Sequence, residues 1–180
     1  LIELLALLEV GIFLLIMSRL NTRSAQADAV DGAAVLGQPE VDVFIPTYNE
    51  PLDVLEKTIL GAQAIDYPNK TVWVLDDGRR DWLQAYCARH GVRYLTRPDN
   101  LHAKAGNLNH ALQHARGAFV AVFDADFVPS RGFIRRTLGL FVDPSVGIVQ
   151  TPQHFYNKDP IQTNLGLMQD YPDEQRLFFD

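Results

Sequence analysis

From residue 41 onward the chain alternates between short apolar runs and stretches whose apolar residues recur every three or four positions. Val41, Val43, Phe44 and Ile45 make a dense apolar run closed by Pro46, which predicts a strand over residues 41–45. Leu52, Leu55, Ile59 and Ala62 then recur at helical spacing, and Pro51 suits a first turn. Tyr67-Pro68-Asn69 breaks that helix. Further strands are predicted over 72–75, 92–95, 118–123 and 146–150, with helices near 80–90, 104–114 and 131–141. Strands alternating with helices predict an α/β fold, a mostly parallel sheet with helices on both faces.

The pattern before residue 41 is different. Residues 1–20 are apolar apart from Glu3, Glu9, Ser18 and Arg19. A helix of that length measures about 30 Å, the hydrocarbon thickness of a bilayer. Arg19 and Arg23 close it, which predicts a membrane helix with the following domain on the cytoplasmic face of the inner membrane. A helix lying on the membrane surface is the alternative. A cleaved signal peptide fits poorly, because the basic residues follow the apolar run. Residues 21–40 are rich in Ser, Ala, Gln, Asp and Gly and read as a linker to a domain spanning 41–180. The chain starts without Met and stops within an aromatic run, so it reads as part of a longer protein.

Composition narrows the classes. A chain of 180 residues can bury a substantial core, and its net charge of -6 argues against nucleic acid as a partner. The single cysteine, Cys87, allows no internal disulfide and fits a reducing compartment. It falls in an amphipathic segment, as a core or surface thiol rather than a nucleophile. His110 and His114 stand four apart, but no third ligand accompanies them.

The candidate chemistry lies at the strand ends. Asp124-Ala125-Asp126 closes the run 118–123, and Asp76-Asp77-Gly78 closes the run 71–75. In open α/β sheets ligands bind at the carboxyl ends of the strands. Adjacent uncompensated carboxylates repel, so a cation is their natural partner. In extended backbone, residues two apart point the same way, which lets Asp124 and Asp126 face one ion. Mg²⁺ is typically held by one or two carboxylates plus substrate phosphates, and it makes a diphosphate a better leaving group. The alternative for Asp76-Asp77-Gly78 is a plain Asp-Gly turn. Lys104 falls at a helix start, where the dipole disfavours a cation unless a phosphate binds there too. Neither a G-x-G-x-x-G nor a P-loop motif occurs.

Five motifs occur in order: V-F-I-P-T-Y-N-E at 43–50, D-D-G at 76–78, H-A-K-A-G-N-L-N at 102–109, D-A-D at 124–126 and Q-T-P-Q-H-F at 150–155. Together they resemble the first half of the catalytic domain of bacterial cellulose synthases, processive members of glycosyltransferase family 2. The resemblance spans about residues 41–160. It implies a GT-A fold and inverting transfer of glucose from UDP-glucose to a growing β-glucan. Donor-binding roles fall on Thr47, Tyr48, Glu50, Asp76, Asp77, His102, Lys104 and Asp124. Of these, Tyr48 and Glu50 would lie near the uridine, and Lys104 near the diphosphate. Asp124 and Asp126 would hold Mg²⁺ or Mn²⁺. Gln150, Thr151, Pro152 and His154 would face the acceptor.

The implied partners are UDP-glucose, the glucan chain, the membrane and other synthase subunits. The family's catalytic base motif, T-E-D, and its later Q-x-x-R-W motif do not occur by Asp180. Asp170 and Asp173 have different surroundings, so no catalytic residue is assigned, and the chain is expected to bind donor without completing transfer. Another processive β-glycan synthase, such as a β-1,3-glucan synthase, fits the same donor motifs. A non-catalytic nucleotide-sugar binding protein anchored in the membrane does too. A haloacid dehalogenase-type phosphohydrolase fits worse, because its D-x-D ends the first strand rather than the fourth.

Overall fold

The computed structural model describes residues 2–17 and 23–151. It divides into two units, one formed by residues 26–146 and the other by the segments on either side. In the first unit, four strands carry the fold: β1 (Val41–Thr47), β2 (Lys70–Asp76), β3 (Arg93–Leu95) and β4 (Phe119–Val122). They form one sheet in the order β3-β2-β1-β4, with every pair parallel. The helices α4 (Leu52–Gln63), α5 (Asp81–Arg89) and α6 (Ala103–Leu112) connect successive strands, and α7 (Phe133–Leu138) runs into a 3₁₀ turn, Gly139–Val142.

The period-two pleat of β1 and β2 sorts their side chains into two cores. Val41, Val43, Ile45, Val72 and Val74 pack with Leu55 and Ile59 of α4, Leu83 and Cys87 of α5, and Ile134 and Leu138 of α7. Phe44, Trp73 and Leu75 pack on the opposite face with Ala111 and Leu108 of α6. The sheet is therefore covered on both sides, as expected for buried parallel strands. The chain steps outward from β1 to β2 to β3, then returns to the other side of β1 as β4. That reversal opens a crevice between the carboxyl ends of β1 and β4, where such sheets take ligands.

Two expectations are corrected. Residues expected to be a linker carry two short helices, α2 (Ser24–Ala29) and α3 (Gly32–Val35). Ala33 is fully buried in the larger core, and Asp28 is bridged by Arg136 at 2.6 and 3.0 Å. Gly32 lies so close to the 3₁₀ turn that a Cβ on it would be 2.1 Å from the Gly139 nitrogen. Packing through glycine and alanine leaves no apolar periodicity to read, which is why the segment looks like a linker. Residues 146–150 form no strand, and none of the described strands pairs with them. Ile148 is 88 % exposed, so the apolar run lacks the ladder partner that would make it a strand.

The amino-terminal helix is described over part of the segment expected to span a membrane. In the other unit, α1 (Ile2–Met17) is 16 residues long, which gives about 24 Å. Among the described residues no helix is long and apolar enough to cross a membrane. Every described α1 side chain from Glu3 to Leu15 is exposed.

Candidate nucleotide and metal site

A cavity of about 500 Å³ occupies the crevice at the ends of β1 and β4. Its walls include Thr47, Tyr48 and Glu50 after β1, Asp77 after β2, Asn100, Lys104 and Asn107 around the start of α6, and Asp124 and Asp126 after β4. Four separated motifs of the sequence thus meet in one place.

The β1 end is organised by a carboxylate. Glu50 accepts hydrogen bonds from the Thr47 hydroxyl at 2.6 Å and the Tyr48 amide at 2.8 Å. Burial acts to raise the Glu50 carboxyl, but these bonds and the nearby Arg80 outweigh it and hold the group below its ordinary value. Tyr48 itself is 53 % exposed, an aromatic face free to meet a planar ligand.

The two acids of Asp76-Asp77 do not form an uncompensated pair. Each has its own arginine. Asp76 is completely buried and lines no part of the cavity. It accepts bonds from the Gly78 and Arg80 amides at 2.9 and 2.8 Å and from the Tyr94 hydroxyl at 2.8 Å, and it pairs with the Arg80 guanidinium at 3.0 Å. Burial, with that bond to Asp76, pushes the Tyr94 hydroxyl well up. Arg80 in turn donates to the Glu50 carbonyl at 2.7 Å and the Thr47 hydroxyl at 2.8 Å. Asp76 therefore acts on the cavity through Arg80. Asp77 does reach the cavity, but Arg97 grips it through two bonds of 2.7 Å. Charge repulsion at this motif is answered by protein, and no cation is required there.

Asp124-Ala125-Asp126 is different. The backbone turns after Phe123, and the Phe127 amide bonds back to the Asp124 carbonyl at 3.0 Å. The acids sit on a turn rather than on extended strand, with Asp126 exposed and Asp124 half-buried, and both line the cavity. The turn is fixed from beneath by the buried Thr58 of α4, whose hydroxyl donates to the Ala125 carbonyl at 2.8 Å. Lys104, in the first turn of α6, pairs with Asp124 across the cavity. No arginine pairs with Asp126 among the described residues, so this motif keeps charge to offer a ligand.

Comparison with known proteins decides the family. The profile described as "Glycosyl transferase family 2" matches residues 42–179. The chain belongs to glycosyltransferase family 2. It is 48% identical over 144 residues to the cellulose synthase catalytic subunit [UDP-forming] of Xanthomonas axonopodis pv. citri, covering 78% of this chain and 20% of that protein. It is 47% identical over the same length to cellulose synthase 2 of Novacetimonas hansenii, covering 78% of this chain and 9% of the relative. The chain thus spans between about a tenth and a fifth of these curated relatives. Among solved structures, a mannosyltransferase of Pyrobaculum calidifontis in complex with GDP-Man and Mn²⁺ aligns with a TM-score of 0.56 at 25% identity, over 81% of this chain and 50% of its own. The parallel sheet with its switch point is thus a GT-A-like fold.

Within this family frame, the remaining expected residues are dispersed. His102 caps α6 and is exposed, but it does not line the cavity. Gln150 and Thr151 belong to the other unit, exposed and half-buried respectively. Pro152 and His154 lie outside the described residues. The His110 and His114 rings stand 5.0 Å apart, and no group of three metal-ligating side chains occurs among the described residues.

Sequence reasoning missed Thr58, Arg80 and Arg97, and gave Asn107 no role of its own. Asn107 is 2 % exposed and donates to the Leu75 carbonyl at 2.9 Å, tying α6 to the end of β2. A polar residue at a core-facing helical position was the available signal for Asn107. Nothing local marks Thr58 or Arg97.

Proposed function

We propose that this chain forms the donor side of a β-glucan synthase, binding UDP-glucose with a divalent metal for inverting transfer to a growing glucan. The observation that carries the reading is the cavity at the switch point. It gathers an exposed aromatic, a helix start with a lysine, and two carboxylates on one turn. The relative whose name carries "UDP-forming" supports a uridine diphosphate product, and the mannosyltransferase complex supports a metal with a nucleotide sugar.

The donor set suits a hard cation. Asp124 and Asp126 offer carboxylate oxygens only, and with no third acidic or imidazole ligand grouped with them among the described residues they leave positions open for phosphate oxygens and water. When bound, such an ion neutralises the diphosphate as it leaves. The chain's own part is to bind and orient. Tyr48 stacks on the base, and Glu50, kept ionised by Thr47 and Arg80, accepts from donor groups. The N-terminal amides of α6 and Lys104 take the phosphates, drawing Lys104 off Asp124. The attacking hydroxyl needs a base from elsewhere in the full protein.

Titration calorimetry with UDP and Mn²⁺ tests the reading. Asp124→Asn with Asp126→Asn is expected to weaken UDP by about ten-fold or more. Unchanged affinity in that double variant refutes the metal and donor site. The exposed apolar surface of α1 supports association of the chain with a membrane.

A further inference from the structure

Arg97 is 6 % exposed and makes more contacts than neutralising Asp77 requires. Besides its two bonds to Asp77, it donates to the Leu101 carbonyl at 2.6 Å and the Ala103 carbonyl at 2.8 Å. Those carbonyls bracket an unusual piece of backbone. His102 has φ 61° and Ala103 φ 44°, both in the left-handed region that side-chain-bearing residues avoid. The loop they form turns the chain into α6 and presents its first turn, with Lys104, to the cavity.

Space for this arrangement depends on Gly106. A Cβ there would lie 2.0 Å from the Leu101 carbonyl oxygen and 2.5 Å from the Arg97 Nη1. The same loop is tied on its other side. Asn100 donates to the Asp77 carbonyl at 3.2 Å and accepts from Arg79 at 2.8 Å.

We infer that Arg97 is a positioning residue for the diphosphate: it clamps the strained 101–103 loop onto Asp77, so that the α6 amides and Lys104 meet the phosphates of a nucleotide ligand. The inference rests on the donor-site reading above and adds to it a residue that touches no ligand. A planar guanidinium can hold a carboxylate and two carbonyls in one fork, whereas an ammonium is a point charge. Arg97→Lys therefore keeps the charge beside Asp77 and loses the clamp. Gly106→Ala disturbs the clamp with Arg97 intact.

The test is calorimetry of the whole chain with two probes, UDP and uridine, in Mn²⁺, with thermal unfolding of each variant alongside. Both variants are expected to weaken UDP by about ten-fold while uridine stays within about two-fold. A merely structural role would not separate the two probes. Equal loss of both, no loss of either, or loss of the cooperative unfolding transition in both variants overturns the assignment. Wild-type chain that binds neither probe overturns the donor-site reading and, with it, this assignment. Wild-type binding with unselective variants overturns this assignment alone.

Discussion

Thr58 offers a measurable link between the core and the acid turn. Its side chain is fully buried on α4, and its hydroxyl is the donor that satisfies the Ala125 carbonyl at 2.8 Å. Ala125 is 6 % exposed, so water does not readily replace that donor. Thr58→Val keeps the branched shape, opens no cavity, and leaves a buried carbonyl unpaired. The cost is about 1–3 kcal/mol. Thr58→Ser is the matched control. It keeps the hydroxyl and loses a methyl, at about 1 kcal/mol from transfer and residual cavity.

Urea unfolding followed by the fluorescence of the buried Trp73 reads both costs. With a slope of about 2 kcal/mol per molar urea, a loss of 2 kcal/mol moves the midpoint by about 1 M. The two variants separate at the site. Thr58→Val releases the Asp124-Ala125-Asp126 turn and is expected to weaken Mn²⁺-dependent UDP binding several-fold. Thr58→Ser is expected to leave that binding unchanged although it also destabilises. Should Thr58→Val match wild type in both midpoint and affinity, the hydroxyl is not what fixes the turn. Should Thr58→Ser weaken binding as much as valine does, packing rather than the hydrogen bond carries the effect.

Asp77→Asn leaves the Arg97 guanidinium buried beside a neutral partner and is expected to cost about 3–5 kcal/mol, whereas Lys104→Gln breaks a half-exposed pair worth at most about 1 kcal/mol. Equal losses in denaturant titrations would contradict the burial of the first pair. Cys87 is fully buried, and burial, with Asp76 nearby, pushes its thiol up to about 11. Native chain should thus resist a thiol reagent at pH 8 that labels urea-unfolded chain at once. Because the folded thiol holds its proton more tightly than the unfolded one, stability should fall as pH rises from about 9 toward 11. Stability that holds flat across that window, in a Cys87→Ala-referenced comparison, would remove the effect. For α1, the chain is expected to float with phosphatidylcholine vesicles and Leu8→Lys with Phe13→Lys to stay behind; equal recovery of both would detach the helix from membrane binding.

The parallel sheet was legible because burial on two faces imposes apolar runs of strand length, and the helices between them keep a three-to-four spacing. The strand ends were legible as places where acids accumulate. What could not be read was the difference between the two acid motifs, which look alike as D-D-G and D-A-D. One is neutralised inside the protein by two arginines, while in the other Asp126 has no arginine partner among the described residues. Arg97 decides this, and it reaches Asp77 only because β3 lies beside β2 and brings the following loop back over it. Twenty residues separate the two, and the loop whose carbonyls Arg97 also holds turns left-handed at His102 and Ala103, which no propensity predicts. The same holds for Thr58, which meets Ala125 from a helix on another connection. Local pattern therefore finds most of the residues that line the crevice, since these stand at or just after strand ends. The residues that aim them are fixed by tertiary packing, and their sequence positions carry no periodic or motif signal. In a switch-point site the ligand-facing set is contributed by short loops, and short loops hold their shape only through such long-range bonds. An account of specificity in this fold must therefore include Arg80, Arg97 and Thr58 along with the acids they hold.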